Sequence, residues 1–479
     1  MLLNDLLKTI PITSISGNTD IIIESISFDT RTITQNSIFV CIKGINSDRH
    51  DFYKEAITKG ATAIVSEYPL ESVGDAANIV VENTNQALAL ISANFYENPE
   101  KNLRIVGVTG TNGKTTTTHL IKNVLEECGY KVGLIGTNEI VIGEEVFPSK
   151  CTTPEAPDLF GFFSQMKKAS CDFVIMEVSS HSLALERVYG ITFEAGIFTN
   201  LTQDHLDFHK TWEDYAKTKA KFFSSCKISI LNADSDYLDI MKESASGSLA
   251  TYGIENDCDY KAAEIEYHDD GITYTVISKK DPYKIKNPIP GKFSVYNSLS
   301  VCALCGELSI PDGFLRMALK KPEAVVKGRC EIVDVDTPFK VIIDYAHTPD
   351  GMVNILSAVN EFKKGRILTV FGCGGDRDVS KRPKMGKIAK DFSDIVIVTS
   401  DNPRSEDPDV IIEHIVAGID DMTDVYTISD RHEAIRFGLL TAEEDDIVLL
   451  LGKGHETVQK FKDYEISFDE REVVKAICS

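Results

Sequence analysis

The chain has 479 residues, of which 43% are hydrophobic and 26% are charged, and it is expected to fold into about three domains. Its formal net charge of −23 argues against nucleic acid or an anionic membrane as a partner, because the overall field repels polyphosphate. The sequence shows no signal peptide, no apolar run long enough to span a membrane and no disulfide or zinc pattern among its eleven cysteines, so a cytoplasmic location is expected.

The beginning of the chain predicts a small α/β unit. Two short runs rich in β-branched residues, at 20–28 and 36–44, are typical of strands. The segment 52–67 predicts a helix followed by another strand. The polar segment Asn94–Asn102 contains a proline and is expected to be the linker that closes this unit.

The middle of the chain predicts a parallel α/β sheet. Buried strands are predicted by nearly continuous apolar runs at residues 103–110, 131–137, 171–180 and 194–200. A helix at 114–129 begins directly after a glycine-bearing loop, and strand, loop, helix and strand in this order open such a sheet. The alternating stretch Tyr252–Lys286 predicts antiparallel strands.

A third unit is predicted to begin near Cys330. It contains strand-like runs, separated by helical segments, at residues 339–347, 365–375, 394–404 and 445–456. Each run ends in a polar or glycine-rich loop. In open α/β sheets, ligands bind where such loops gather at the carboxyl ends of the strands.

The loop between the strand at 103–110 and the helix at 114–129 predicts a phosphate site. Its residues are Gly110, Thr111, Asn112, Gly113, Lys114, Thr115 and Thr116. Small residues let backbone N–H groups surround a phosphate, and the helix N-terminus adds partial positive charge. Lys114 can reach the terminal phosphates, and the Thr115 hydroxyl can bind Mg²⁺. The usual loop spacing has glycine at position 108, where this chain has Val108, with Gly107 one place early.

Acidic and histidine-bearing loops follow two of the predicted central strands. Glu177 lies in the segment MEVSSH, and Asp204 and His205 lie in TNLTQDHLDFH. A carboxylate after a buried strand is costly unless it is paired or binds a metal, so these loops predict a Mg²⁺ platform for a bound nucleotide. A nearby helix carries Lys217, Lys219 and Lys221, and spacing alone does not distinguish one of these lysines.

The third unit has its own cluster of acids and arginines at the strand ends. It comprises Arg329, Asp344, Arg377, Asp401, Asn402, Arg404, Gly452 and Glu456. Arginine beside carboxylate can hold both ends of a zwitterion, so the cluster predicts an amino-acid pocket. The alternative is a set of surface ion pairs, with Arg404 pairing to Glu406 or Asp407.

These segments together resemble one family, the Mur ligases. The matching motifs, in family order, are GTNGKTTT, TTPE, MEVSSH, TNLTQDHLDFH, GKFSVYN, DYAHTPD, FGCGGDRD, DNPR and GKGHE. The resemblance covers nearly the whole chain and implies an α/β fold of three domains. These would be a small N-terminal α/β domain that binds a UDP-sugar (1–100), a central ATPase domain with a P-loop-like parallel sheet (101–329) and a Rossmann-like C-terminal domain that binds the amino acid (330–479).

The resemblance also implies a reaction. The chain would use ATP and Mg²⁺ to add meso-diaminopimelate to the D-glutamate of UDP-N-acetylmuramoyl-L-alanyl-D-glutamate through an acyl phosphate, in peptidoglycan biosynthesis. L-lysine or lanthionine as the amino acid, the folylpolyglutamate synthetase reaction and a nucleotide-dependent switch without ligase chemistry are the alternatives. A monomer is expected.

The resemblance assigns roles residue by residue. ATP would be held by the phosphate loop, Asn297, Arg329 and Asp344, and the UDP precursor by Ser27, Thr152, Thr153, Ser179 and Arg187. The amino acid would be held by Arg377, Asp401, Asn402, Arg404, Gly452 and Glu456. The catalytic set would be Lys114, Glu177, His205 and Lys219, and the Mg²⁺ ligands Thr115, Glu177, His205 and Lys219.

Lys219 would act as a carbamate formed with CO₂, since it occupies the family position between Tyr215 and Phe223. The chain departs from the family pattern at Lys327, where a proline is usual, and at Arg49, where a glycine is usual.

Overall fold

The computed structural model describes residues 1–44, 47–202, 204, 206–268, 271–321 and 325–479. In the described part of the chain, three large sheets follow one another, each with its own helices, and a two-stranded sheet lies near the end. In the described part of the chain, no helix is long and apolar enough to cross a membrane.

The first sheet has the strand order β1-β5-β4-β3-β2, with β1 antiparallel to β5 and the other neighbours parallel. Its strands are β1 Ile12–Ser16, β2 Ser25–Ser27, β3 Ser37–Val40, β4 Ala61–Ser66 and β5 Ala77–Val81. Its helices are α1 Leu3–Leu6, α2 Tyr53–Thr58 and α3 Thr84–Phe95, with 3₁₀ turns at Arg49–Phe52 and Pro99–Asn102.

The predicted linker Asn94–Asn102 is wrong at its start, because α3 extends to Phe95. Asn94 belongs to α3 and is buried. Its side-chain amide donates to the Leu6 carbonyl at 2.8 Å, which gives this buried polar group a partner. Pro99 starts a 3₁₀ turn, a position where its missing N–H costs nothing.

The second sheet has eleven strands in the order β16-β15-β14-β13-β12-β11-β6-β10-β7-β8-β9. The strands are β6 Arg104–Thr109, β7 Val132–Ile135, β8 Glu139–Ile142, β9 Glu145–Pro148, β10 Phe173–Glu177, β11 Ala195–Phe198, β12 Ile228–Asn232, β13 Ser248–Gly253, β14 Tyr260–His268, β15 Gly271–Ile277 and β16 Tyr283–Asn287. The helices are α4 Lys114–Glu127, α5 Ala156–Lys168, α6 Ser180–Ala184, α7 Leu206–His209, α8 Trp212–Ala220, α9 Leu238–Ser244, α10 Lys292–Glu307 and α11 Asp312–Leu319, with a 3₁₀ turn at Lys221–Ser225.

Parallel pairing runs through the middle of this sheet. β6 lies between β10 and β11, so the loops after these three strands meet at one edge. The predicted antiparallel strands are confirmed for β14, β15 and β16. The prediction is wrong at Tyr252, which lies in β13, fully buried and paired in parallel with β12 and β14.

The third sheet has the order β17-β18-β22-β19-β20-β21, with β17 antiparallel to β18 and the rest parallel. The strands of the third unit are β17 Glu331–Ile332, β18 Lys340–Asp344, β19 Ile367–Phe371, β20 Ile395–Val398, β21 Val425–Thr427, β22 Ile447–Leu451, and the hairpin β23 Val458–Lys460 and β24 Glu465–Ser467. Its helices are α12 Pro349–Phe362, α13 Lys381–Phe392, α14 Pro408–Val416, α15 Arg431–Thr441 and α16 Glu470–Cys478. The four predicted strand runs are thus confirmed as β18, β19, β20 and β22.

Candidate functional site

The predicted phosphate loop lies between β6 and α4, and glycine is required at two of its positions. Gly110 has φ +152°, and a Cβ there would stand 1.9 Å from the Thr199 hydroxyl. Gly113 has φ +85°, and a Cβ there would stand 2.4 Å from Asn297 Oδ1. Both loop glycines therefore allow close approach of side chains from neighbouring elements.

Gly107 and Val108 lie within β6 rather than in this loop. A Cβ at Gly107 would stand 2.6 Å from the Phe222 ring, so this glycine makes room for core packing. The one-place shift from the usual glycine spacing therefore has a packing cause.

Lys114 is the first residue of α4 and lies against the loop. Its ammonium donates to the carbonyls of Gly110 at 2.9 Å and Thr111 at 2.8 Å. Burial lowers the pKa of this ammonium, and the nearby Glu177 acts in the opposite direction. Lys114 thus lies where a terminal phosphate bound by the loop would meet a cation.

Glu177 ends β10 and is fully buried. Its Oε1 accepts hydrogen bonds from the Thr115 hydroxyl at 2.9 Å and the Thr137 backbone N–H at 2.7 Å, and its Oε2 accepts from the Thr137 hydroxyl at 3.0 Å. The carboxylate and the Thr115 hydroxyl are hard oxygen donors of the kind that Mg²⁺ prefers. Thr137 is the last residue of the predicted strand at 131–137, and it was not among the predicted site residues.

His205, one of the four predicted metal ligands, lies outside the described residues. Among the residues that are described, no group of three or more His, Cys, Asp or Glu side chains could hold a metal ion. Glu177 and Thr115 therefore form only part of the predicted set.

Lys219 is distinguished from its neighbouring lysines by burial. Its side chain is 1% exposed, and its amine donates to the Gly110 carbonyl at 3.0 Å. Lys217 is exposed and pairs with Glu213, and Lys221 lies at the exposed start of the 3₁₀ turn, because α8 ends at Ala220. Burial, aided by Lys114, holds the pKa of Lys219 well below its ordinary value, which favours the neutral amine.

The residues predicted to bind the precursor form a network beside Glu177, with one exception. The Thr153 hydroxyl donates to the Glu177 carbonyl at 2.8 Å and accepts from the Ser179 backbone N–H at 3.1 Å. The Arg187 guanidinium donates to the Thr153 carbonyl at 2.9 Å. The Thr152 hydroxyl lies 3.0 Å from the Thr137 hydroxyl, within hydrogen-bonding distance.

Ser27 is the exception, because it lies in the first sheet. It is 2% exposed, and its hydroxyl donates to the Asp29 carbonyl at 2.8 Å. This bond orders the turn that carries Asp29 and the exposed Arg31, which form an ion pair. The Arg31 side chain is 82% exposed.

A cavity of about 460 Å³ lies between the central and third sheets. Its lining includes the loop residues Asn112 and Gly113 and the predicted nucleotide contacts Asn297, Arg329 and Asp344. Asp344 ends β18, and burial raises the pKa of its carboxyl while Arg329 opposes that rise. The cavity joins the phosphate loop to polar groups of both domains.

A second cavity, of about 360 Å³, extends from the phosphate loop and Glu177 to the strand ends of the third sheet. The residues of the predicted amino-acid pocket all line it: Arg377, Asp401, Asn402, Arg404, Gly452 and Glu456. Gly452 has φ +109°, and a Cβ there would stand 2.6 Å from Asp401 Oδ2. This glycine therefore makes room for the Asp401 carboxylate.

Arg404 is not part of a surface ion pair with Glu406. Its guanidinium donates to the Gly375 carbonyl at 2.6 Å, and the Glu406 carboxylate is bound instead by Arg382 at 2.9 Å. Burial lowers the pKa of Arg404, and Arg377 lowers it further. An anion entering this part of the cavity would therefore meet two guanidinium groups.

Asp350, in the first turn of α12, links the two domains at the phosphate loop. Its Oδ2 accepts from the Asn112 side-chain amide at 2.7 Å, the Thr202 hydroxyl at 3.1 Å and the Asn354 amide at 3.1 Å. Arg329, at the boundary between the two domains, donates to the Thr115 hydroxyl at 3.2 Å. Asp350 ends the motif DYAHTPD, and position in a motif was the only signal for it in the sequence.

Three family descriptions match the chain. They are "Mur ligase family, catalytic domain" at residues 22–96, "Mur ligase middle domain" at 108–305 and "Mur ligase, glutamate ligase domain" at 328–454.

Relatives resemble the chain over its full length. A protein of Clostridium botulinum named UDP-N-acetylmuramoyl-L-alanyl-D-glutamate–2,6-diaminopimelate ligase is 45% identical and covers 100% of this chain and 99% of its own length. A protein of Bacillus velezensis with the same name is 42% identical, with 94% and 93% covered.

Solved structures agree in fold. A structure with that same name superposes with a TM-score of 0.69 at 30% identity, covering 100% of this chain and 98% of its own. A MurF ligase from Thermotoga maritima in complex with ADP has a TM-score of 0.62 at 19% identity, with 89% and 93% covered. The second likeness is one of fold alone.

Proposed function

The chain belongs to the Mur ligase family, and we infer that it joins meso-diaminopimelate to the D-glutamate of UDP-N-acetylmuramoyl-L-alanyl-D-glutamate in an ATP-dependent reaction of peptidoglycan synthesis. The observation that carries this function is the second cavity, in which the phosphate loop and the acids and arginines of the third domain face one space. Phosphate transfer and amine attack need that arrangement, because the activated group must meet the amine before water does.

We propose that each of the three domains binds one of the three substrates. Residues 1–100, with Ser27, bind the UDP end of the precursor, which runs past Thr152, Thr153, Ser179 and Arg187 toward Glu177. Residues 101–329 bind ATP in the first cavity, and residues 330–479 bind the amino acid in the second. We propose a cytoplasmic monomer.

In the first step, a carboxylate oxygen of the precursor's D-glutamate attacks the γ-phosphorus of ATP. The bond from that phosphorus to the β,γ-bridging oxygen breaks, and ADP leaves with its electron pair. Lys114 donates to the loop carbonyls and would turn its ammonium to the phosphate oxygens, where charge accumulates. The product is an acyl phosphate.

Mg²⁺ fits the residues beside the loop. Glu177 and the Thr115 hydroxyl supply oxygen ligands, and His205 and carbamylated Lys219 would complete the set. When bound, Mg²⁺ would neutralise charge on the phosphate oxygens.

Carbamylation of Lys219 is consistent with its lowered pKa and its burial. A neutral amine adds to CO₂ and releases one proton, which converts the side chain from a base into an anion. The anion would lie next to Gly110, at the edge of the phosphate loop.

In the second step, the amino group of the incoming amino acid attacks the acyl carbon. Phosphate leaves, the amine loses a proton, and an amide remains. Arg377 and Arg404 would hold a carboxylate of the amino acid, while Asp401 and Glu456 would receive an ammonium. L-lysine and lanthionine are the alternative amino acids for this pocket.

The test is release of ADP by the purified enzyme. The ligase requires both the UDP-dipeptide precursor and an amino acid, whereas folylpolyglutamate synthetase would require a folate and glutamate. ADP release that needs neither the precursor nor an amino acid would contradict the assignment and favour a nucleotide-dependent switch.

A further inference from the structure

Lys453 is a buried cation that the reaction described above does not use. It follows Gly452 at the end of β22, and its side chain is 0% exposed. Its ammonium donates to the Val458 carbonyl at 2.7 Å, Glu456 Oε2 at 3.1 Å and Asn402 Oδ1 at 3.3 Å. These protein acceptors match the three donors of an ammonium group, so no donor is left for a ligand.

Lys453 acts on the amino-acid pocket through two residues that line it, Asn402 and Glu456. Asn402 is held at both ends of its amide, because Oδ1 also accepts from the Lys460 backbone N–H at 2.9 Å and Nδ2 donates to Glu456 Oε2 at 2.7 Å. Glu456 Oε2 therefore receives two hydrogen bonds. Among the residues that the structure describes, Oε1 has no hydrogen-bond partner, which leaves it for a donor on a ligand.

We propose that Lys453 is a positioning residue for binding of the amino acid in this pocket, an inference that rests on the proposed function. It fixes Glu456 so that Oε1 receives an ammonium of the amino acid, and it fixes the Asn402 amide beside it. Removing a buried cation leaves its partners without compensation, so Asn402 and Glu456 would lose their fixed orientation. A purely structural role would instead disturb all three substrates and the melting temperature together.

The experiment compares Lys453→Met with Lys462→Met, which makes the same change at an exposed lysine between β23 and β24. We expect Lys453→Met to raise KM for meso-diaminopimelate at least tenfold, with KM for ATP and for the precursor unchanged within about twofold. Tenfold corresponds to about 1.4 kcal/mol. We expect the Lys462→Met enzyme to match the wild type. An unchanged KM for meso-diaminopimelate in Lys453→Met, or an equal rise for all three substrates, would overturn the proposal.

A double-mutant cycle tests whether the effect passes through Glu456. In a Glu456→Gln background, Lys453→Met should change KM for meso-diaminopimelate by less than about twofold, because the positioned carboxylate is already gone. A full tenfold effect in that background would contradict the proposal. If Lys453→Met does not fold, the cycle is run with Lys453→Gln and judged by the same criterion. Failure of the proposed function itself would look different, since the wild-type enzyme would then release no ADP in response to meso-diaminopimelate.

Discussion

Arg404 is expected to select the amino acid by binding the carboxylate at its distal end. The guanidinium is partly buried, and the neighbouring Arg377 lowers its pKa further, so a ligand carboxylate there would relieve repulsion between two cations. A charge-assisted pair in a closed pocket contributes about 2–5 kcal/mol, and the partial exposure of Arg404 favours the lower end. About 2 kcal/mol corresponds to roughly thirtyfold in kcat/KM.

The substitution Arg404→Ala should therefore lower kcat/KM for meso-diaminopimelate by roughly thirtyfold and leave that for L-lysine within about twofold. ADP release is followed with ATP and precursor saturating and the amino acid varied. Arg436→Ala is the matched control, because Arg436 is exposed on α15 and pairs with Glu433 at 3.5 Å. Equal losses for meso-diaminopimelate and L-lysine would refute this role of Arg404.

Four further predictions concern the phosphate loop, Lys219 and the domain contact. Lys114→Ala should abolish turnover without lowering the melting temperature, and near-normal activity in the folded variant would remove Lys114 from the mechanism. Lys219→Ala should be nearly inactive, and formate or acetate should partly restore its activity by replacing the missing carboxylate. The control Lys217→Ala should stay active. Full activity without Lys219 would contradict carbamylation. Asp350→Ala removes the acceptor of the Asn112 amide, so small-angle scattering without substrates should show a more extended particle than the wild type. Substrates should also change the wild-type profile if the third domain closes as a rigid body, and identical profiles would count against that motion.

The order of elements could be predicted from the sequence, because buried parallel strands have apolar runs in their sequences. The polar loops after these runs mark the edge of the sheet where ligands bind. The pairing of the strands could be predicted only in part. Tyr252 was expected in an antiparallel strand, but β13 continues the parallel core, and alternation along a sequence reports exposure of a face rather than strand direction. Asn94 appeared to be part of a polar linker because its contact with Leu6 depends on tertiary structure.

The parts of the site that lie in local sequence motifs could be predicted from the sequence. The loop from Gly110 to Thr116 was predicted from its residue types and from the strand and helix on either side, because its glycine spacing departs from the usual pattern. The choice of Lys219 among three lysines needed either the family resemblance or the burial that the structure gives it. Asp350 and Lys453 had only their positions in the motifs DYAHTPD and GKGHE as a signal, because their roles depend on side chains brought together from distant segments.

The most direct test of the account is a comparison of amino acids with the wild-type enzyme, its UDP-dipeptide precursor and ATP. The value of kcat/KM is measured from ADP release for meso-diaminopimelate, L-lysine and lanthionine, and the peptide product is identified by its mass. We expect kcat/KM for meso-diaminopimelate to exceed that for L-lysine by more than tenfold, in line with the contribution expected of Arg404. Use of L-lysine as efficiently as meso-diaminopimelate would contradict it.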